Sequence, residues 1–239
     1  MIGRGLLRAM ISRKFAFSLI AALAAAPVMA ETSGDSLAAL TSDIVVTGHR
    51  VAPDSPDVLG TAAIDAGVTI YDVRFRRVSA ADAHDPRLKI IADALSGLTP
   101  AAQLAKVKLL VARLVHSASD LDTMHVADYW SNASDTLNRG AGDDEDIAIV
   151  EMQALKAAGF PTRDLYLSVG REQRCGYHTV LIARTAEGFY LLDDALPAVV
   201  PASSAHAAAF TPIMTIGAGR SWLHGYRVHP ASATSFASR

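Results

Sequence analysis

Cysteine is nearly missing from this chain: Cys175 is the single one in 239 residues. No intramolecular disulfide can form, so a domain of this size has to be held together by its apolar core. Long hydrophobic runs are missing as well. No stretch reaches the roughly eighteen consecutive apolar residues of a membrane-spanning helix. Aromatic residues make up 6% of the chain, and a formal net charge of −2 leaves no basic excess. The electrostatic footprint of a nucleic-acid binder is therefore absent. Apolar residues are not scarce, however: 51% hydrophobic against 19% charged is the composition of a globular domain.

The first thirty residues carry an export pattern. Arg4, Arg8, Arg13 and Lys14 precede a largely apolar run from Phe15 to Ala26, and Pro27-Val28-Met29-Ala30 puts small residues at the −3 and −1 positions of a cleavage site. The run is too short to span a bilayer, so residues 1–30 read as a secretory signal peptide. Cleavage after Ala30 leaves 18 Lys and Arg against 24 Asp and Glu, a mildly acidic exported chain. The expected compartment is the periplasm of a Gram-negative bacterium, with secretion as the alternative. Residues 31–65, rich in Ala, Ser, Asp and Gly with Pro53 and Pro56, read as a flexible leader, and 66–239 as the domain. Within the leader, Asp43-Ile44-Val45-Val46-Thr47-Gly48 (residues 43–48) resembles a TonB box, an extended segment suited to pairing with an exposed sheet edge. A strand of the domain itself is the equally open alternative.

Asp85-Pro86 opens a helical stretch with Leu88, Ile91, Leu95 and Leu98 near one stripe, broken by Gly97. Thr99-Pro100 then supplies an N-cap and a first-turn proline, and Leu104, Val107, Leu110, Val111, Leu114 and Val115 extend a helix to about Ser117. Residues 118–141 read mostly as loop, with the aromatic pair Tyr129-Trp130 lining a groove or lying in the core. A helix start is signalled at Asp143-Asp144-Glu145-Asp146, where four acids meet the positive end of the helix dipole. Ile147, Val150, Ala154, Leu155 and Ala158 form its apolar stripe, and Gly159 with Pro161 ends it.

Beyond Pro161 the period changes to two. Leu165, Leu167 and Val169 alternate with Tyr166 and Ser168, residues 177–184 and 189–192 read as a hairpin about Thr185 to Gly188, and residues 210–216 and 222–228 add late strands. Helices first and an antiparallel sheet after them define the α+β class. If Arg184 pairs with Phe189, Asp193 falls opposite Val180 and becomes a diagonal neighbour of His178, within reach of an imidazole. Asp194 then points the other way, and a bulge at Gly188 would exchange the two. A histidine oriented by a carboxylate is half of a nucleophilic apparatus that still needs a thiol or hydroxyl. Cys175 has the opposite strand parity from His178 and reads as a small structural thiol. His116, His125, His206, His224 and His229 show no metal-ligand spacing.

Asp128-Tyr129-Trp130, then Gly140-Ala141-Gly142-Asp143-Asp144-Glu145-Asp146, then Tyr177-His178-Thr179-Val180-Leu181, then Leu191-Leu192-Asp193 occur in the order found in one family. In these motifs the chain resembles the bacterial transglutaminase-like cysteine peptidases of the LapG type, over about residues 70–228. The resemblance implies a papain/transglutaminase-like α+β fold with the site helix packed on an antiparallel sheet. It also implies a triad whose positions here are Asp144, His178 and Asp193, with Asp144 standing where the family has its nucleophilic cysteine. Calcium ligands are implied at Asp143 and Glu145, with Asp144 offering a further carboxylate. Oxygen ligands packed at a turn suit Ca²⁺, while simple helix capping is the competing reading of the same acids.

An aspartate attacking a peptide bond would have to expel an amine and form an acyl anhydride, which is strongly uphill. Carboxylate nucleophiles serve on glycosides and phosphates instead. The expectation is a periplasmic pseudopeptidase that binds a protein or cell-envelope partner as adaptor or regulator. Two alternatives stand: a hydrolase of altered chemistry using Asp144, His178 and Asp193, and a calcium-stabilised interaction module.

Overall fold

The computed structural model describes residues 45–46, 55–80, 85–172, 176–204, 207–217 and 219–227. In chain order the elements are β1 (Val45–Val46), β2 (Ala62–Gly67), α1 (Ile70–Ser79), α2 (Pro86–Leu95), α3 (Pro100–Leu114), β3 (His116–Ser117), α4 (Asp120–Met124), α5 (Ala133–Arg139), β4 (Ala141–Gly142), α6 (Asp144–Ala157), β5 (Leu165–Glu172), β6 (Gly176–Thr185), β7 (Gly188–Leu192), β8 (Val200–Pro201), β9 (Phe210–Gly217) and β10 (Arg220–Arg227). The main sheet runs β1-β10-β9-β5-β6-β7-β8, with β2 also paired to β10. Apart from the parallel β1–β10 pair, its ladders are antiparallel. Helices before a largely antiparallel sheet make this the expected α+β architecture.

The helices start where local chemistry places them. Asp85 accepts from the Arg87 N–H at 2.8 Å ahead of Pro86, and Thr99 accepts from the Ala102 N–H at 3.4 Å ahead of Pro100. Helix α3 stops at Leu114, short of the expected Ser117, because the following residues turn extended and β3 pairs in parallel with β4. The stretch read as loop over 118–141 holds α4 and α5, capped by Ser119 and Asn132. Helices of five and seven residues are too short to show a hydrophobic period.

Helix α6 is the hub. Instead of one buried stripe, every residue from Glu145 to Leu155 is buried, because α2, α3 and α5 pack around it and the sheet lies beneath it. Fully buried Ile149, Met152 and Leu155 each contribute about 1.5–3 kcal/mol. The sheet has a core on both faces, so β5 is not the half-exposed strand its alternation suggests. Leu165, Leu167, Leu181 and Ile216 pack with the helices. Tyr166, Val180, Ile182 and Trp222 form a second core with Val58, Ala63, Ala202 and Ala207. The folded body therefore reaches into the stretch read as leader: Ser55, Val58 and Thr61 are buried and β2 begins at Ala62. Of residues 43–48, Val45 and Val46 lie as a strand beside Tyr226 and Arg227. Residues 1–44, including the signal-peptide pattern, and Cys175 fall outside the described residues. Among the described residues no helix is long and apolar enough to cross a membrane.

Candidate active site and acidic cluster

The hairpin has the anticipated register: Arg184 pairs with Phe189 and Leu181 with Leu192, which sets Asp193 opposite Val180. His178 Nε2 is 2.8 Å from Asp193 Oδ1. Asp194 does not turn away as strand alternation implies. Strand β7 ends at Leu192 and the chain turns, the Leu196 N–H bonding to the Asp193 carbonyl, so Asp194 Oδ1 comes within 3.5 Å of the same Nε2.

At the other ring nitrogen stands Asp144. Asp143 caps α6, and Asp144 is the first helical residue, on the turn aimed at the start of β6. Asp144 Oδ2 lies 2.6 Å from His178 Nδ1 and accepts the Thr179 N–H at 2.8 Å. The ring N–H at Nδ1 is not directed at that oxygen, so this contact is a close charge pair more than an aligned hydrogen bond. Burial alone depresses the His178 pKa; the two flanking carboxylates override it and push it up to about 10. His178 is an imidazolium at neutral pH, clamped between Asp144 and Asp193. Asp144 is held there as its counter-ion.

Two glycines of the Gly140–Asp146 segment have distinct uses. Gly140 ends α5 in the left-handed region at φ 65°, and a Cβ on Gly142 would lie 2.6 Å from the Asp146 Cβ. Asp146 is fully buried and ties the segment down, accepting the Ser131 N–H at 2.8 Å and the Arg139 guanidinium at 2.7 Å.

Beside Asp144 and His178 is a denser acidic cluster than sequence reasoning anticipated. Suitably placed oxygens of Asp120, Asp128 and Glu145 lie within 4.8 Å of one another, as do those of Asp120, Asp143 and Asp146. Burial first, and then neighbouring carboxylates, push Asp143 up to about 8 and Glu145 well above the carboxylate range. Buried Asp120 Oδ1 and Asp128 Oδ1 have no hydrogen-bond partner. Orphaned, mutually repelling carboxylate oxygens packed this closely are the donor set of a hard divalent cation; Asp120, Asp128 and Glu145 fit that role together, and Asp143 adjoins them through Asp120 and through Glu145. Asp144 belongs to both neighbourhoods: one of its oxygens lies within 4.8 Å of oxygens of Asp143 and Glu145, while Oδ2 faces His178. Asp120 was missed because it lies in a stretch read as loop. Lys108, whose Nζ donates to the Asp193 carbonyl at 2.5 Å, was signalled only by its place in the buried stripe beside Leu104, Val107 and Val111.

The aromatic pair divides. Trp130 belongs to the core and packs 6.4 Å from the Tyr71 ring, whereas Tyr129 is half-exposed beneath the Arg77 guanidinium. His224 is buried and bonded to Thr61 and Thr215, and His116 is exposed in β3, paired with Ala141 just ahead of the acidic cluster.

A carboxylate-oriented histidine near the start of an inner strand of an antiparallel sheet, facing the N-terminus of a buried helix, is the site architecture of the papain/transglutaminase class. The chain belongs to the bacterial transglutaminase-like cysteine proteinase family (BTLCP), whose sequence model matches residues 84–211, more than half of its length. Calcium-bound LapG of Legionella pneumophila is similar in structure, with a TM-score of 0.50 at 24% identity over 64% of this chain and 87% of LapG. The EGTA-treated form gives 0.49 at 22% identity over 66% and 87%. At these identities the likeness shows the fold. No curated protein matches the chain.

Proposed function

We propose that this chain is an exported pseudopeptidase, a member of a cysteine-peptidase family whose nucleophile position has become a structural anion. It binds a protein partner in the cell envelope as adaptor or regulator. The observation that carries this reading is the Asp144–His178 pair: the carboxylate occupies both the imidazolium and the Thr179 N–H. A carboxylate so neutralised is a weaker attacking group still, and an imidazole already protonated at neutral pH cannot serve as a general base. The export pattern at residues 1–30 supports a periplasmic location. The segment 43–48 remains a proposed contact for a TonB-type partner.

Calcium is proposed as a structural ligand of the acidic cluster, held by Asp120, Asp128, Asp143 and Glu145. LapG exists in a calcium-bound form, and here the orphaned carboxylate oxygens supply the independent support. Bound there, the ion would neutralise the cluster and fix α4, the 128–130 segment and the start of α6 against each other, with no step of chemistry passing through it.

Complementation of a deletion strain tests the reading, scored by the envelope and shed surface proteome with wild type, Asp144→Ala and His178→Ala at equal protein level. Restoration by both variants is expected. Failure of both, with the proteins folded, would favour altered chemistry at Asp144 and His178.

A further inference from the structure

Helix α1, which no sequence motif singled out, presents an unusual outer face. Val68, Ile70 and Val73 are adjacent along the β2–α1 connection and the first turn of α1, and are 69%, 74% and 60% exposed. Other exposed aliphatic residues, such as Ile90, Leu109 and Leu121, lie on separate helices and need no explanation. The same helix carries Arg74, Arg76 and Arg77, while its one acid, Asp72, is buried in the capping box with Thr69.

Two of the arginines, Arg74 and Arg77, are held in place. Arg74 Nη1 donates to Asp128 Oδ2 at 2.6 Å, and Arg77 donates to the Tyr129 hydroxyl at 2.5 Å and to the Trp130 carbonyl at 2.8 Å. Helix α1 and the 128–130 segment are thereby one continuous surface leading from the aliphatic residues to the acidic cluster.

We propose that this face is the docking surface for a protein segment bearing aliphatic side chains flanked by carboxylates. The inference rests on the reading of the chain as a partner-binding protein and names the partner's chemistry. The aliphatic residues meet Val68, Ile70 and Val73, and the carboxylates meet the arginine row. The Arg74 and Arg77 guanidinium groups, held in fixed positions by protein acceptors, favour fixed carboxylates on a peptide over fluid lipid headgroups. Addition of the partner as a further strand is disfavoured at the neighbouring edge. Strand β2 is blunted there: Asp57 accepts the Ala63 N–H at 2.9 Å, Ser55 donates to the Ala63 carbonyl at 3.2 Å, and Asp65 accepts the Gly67 N–H at 2.7 Å. Recognition through side chains is what remains.

The test is amide chemical-shift mapping on the purified protein with three probes. These are a synthetic twelve-residue peptide of alternating Glu-Glu and Leu-Leu pairs, its counterpart with Lys in place of Glu, and phosphatidylglycerol vesicles. Shifts confined to α1 and residues 128–130 are expected with the acidic peptide. Binding should weaken at least tenfold in the Ile70→Ser, Val73→Ser double variant and in Arg76→Glu, all exposed positions whose replacement leaves the core intact. Equal binding of the Lys peptide, shifts elsewhere, binding of vesicles alone, or self-association through α1 would each overturn the proposal. The pseudopeptidase reading fails on cleavage and this inference on binding. A protein that cleaves substrate yet binds the acidic peptide at α1 loses only the former.

Discussion

The His178 ring stands between two carboxylates, Asp144 Oδ2 at 2.6 Å from Nδ1 and Asp193 Oδ1 at 2.8 Å from Nε2. Its pKa of about 10 in the folded protein, against an ordinary 6.5, makes the clamp a source of stability. That contribution is complete below pH 6.5 and is lost as pH rises through about 10. Asp144→Asn removes one carboxylate charge, so the His178 pKa is expected to fall by at least one unit, read from the imidazole proton shifts in an NMR titration. Denaturant stability between pH 7 and 10 should flatten in the same variant. An unmoved His178 titration would mean that Asp144 is not the partner that charges it.

Calcium supplied to EGTA-treated protein is expected to raise its melting temperature, by the equivalent of about 2.7 kcal/mol when free calcium exceeds the Kd a hundredfold. The Asp128→Asn, Glu145→Gln pair should abolish the response, since it removes two of the four carboxylates proposed to hold the ion. Differential scanning calorimetry checks both. Calcium-insensitive melting of the wild type would leave the cluster as helix capping.

The contact between His178 and Asp193 was legible in the sequence. One assumed pair, Arg184 with Phe189, is enough to bring His178 and Asp193 together, because strand register propagates without loss. The run of acids at 143–146 marked the N-terminus of α6. What was not legible depends on tertiary packing. Lys108 and Asp120 announce themselves only through what they touch. Asp194 escapes strand alternation because the strand ends two residues earlier. The second face of the sheet is buried by Val58, Ala63, Ala202 and Ala207, which lie in stretches whose composition suggests loop.

His224 gives an acid-side prediction. Burial lowers its pKa to about 4, with Thr61 on one ring nitrogen at 2.7 Å and Thr215 on the other at 2.8 Å. A histidine held neutral costs stability as the unfolded chain takes up a proton, so stability should fall from pH 6.5 down to 4, by about 3 kcal/mol in all. Urea denaturation across that range should show this slope, and His224→Gln should lose most of it.

Gly142→Ala tests the close approach that seats α6. Its Cβ would meet the Asp146 Cβ at 2.6 Å and Oδ2 at 2.9 Å, both in a side chain already fixed by Ser131 and Arg139. A loss of about 1–3 kcal/mol is expected in chemical denaturation. A neutral substitution would show that the start of α6 can shift without cost.

The central claim is that position 144 holds an anion instead of a nucleophile. The most direct measurement is mass spectrometry of new N-termini in an unfolded protein substrate incubated with the purified wild-type chain and with Asp144→Asn. The account predicts no cleavage above buffer from either. Cleavage by the wild type that disappears in Asp144→Asn would contradict it and make Asp144 a catalytic residue.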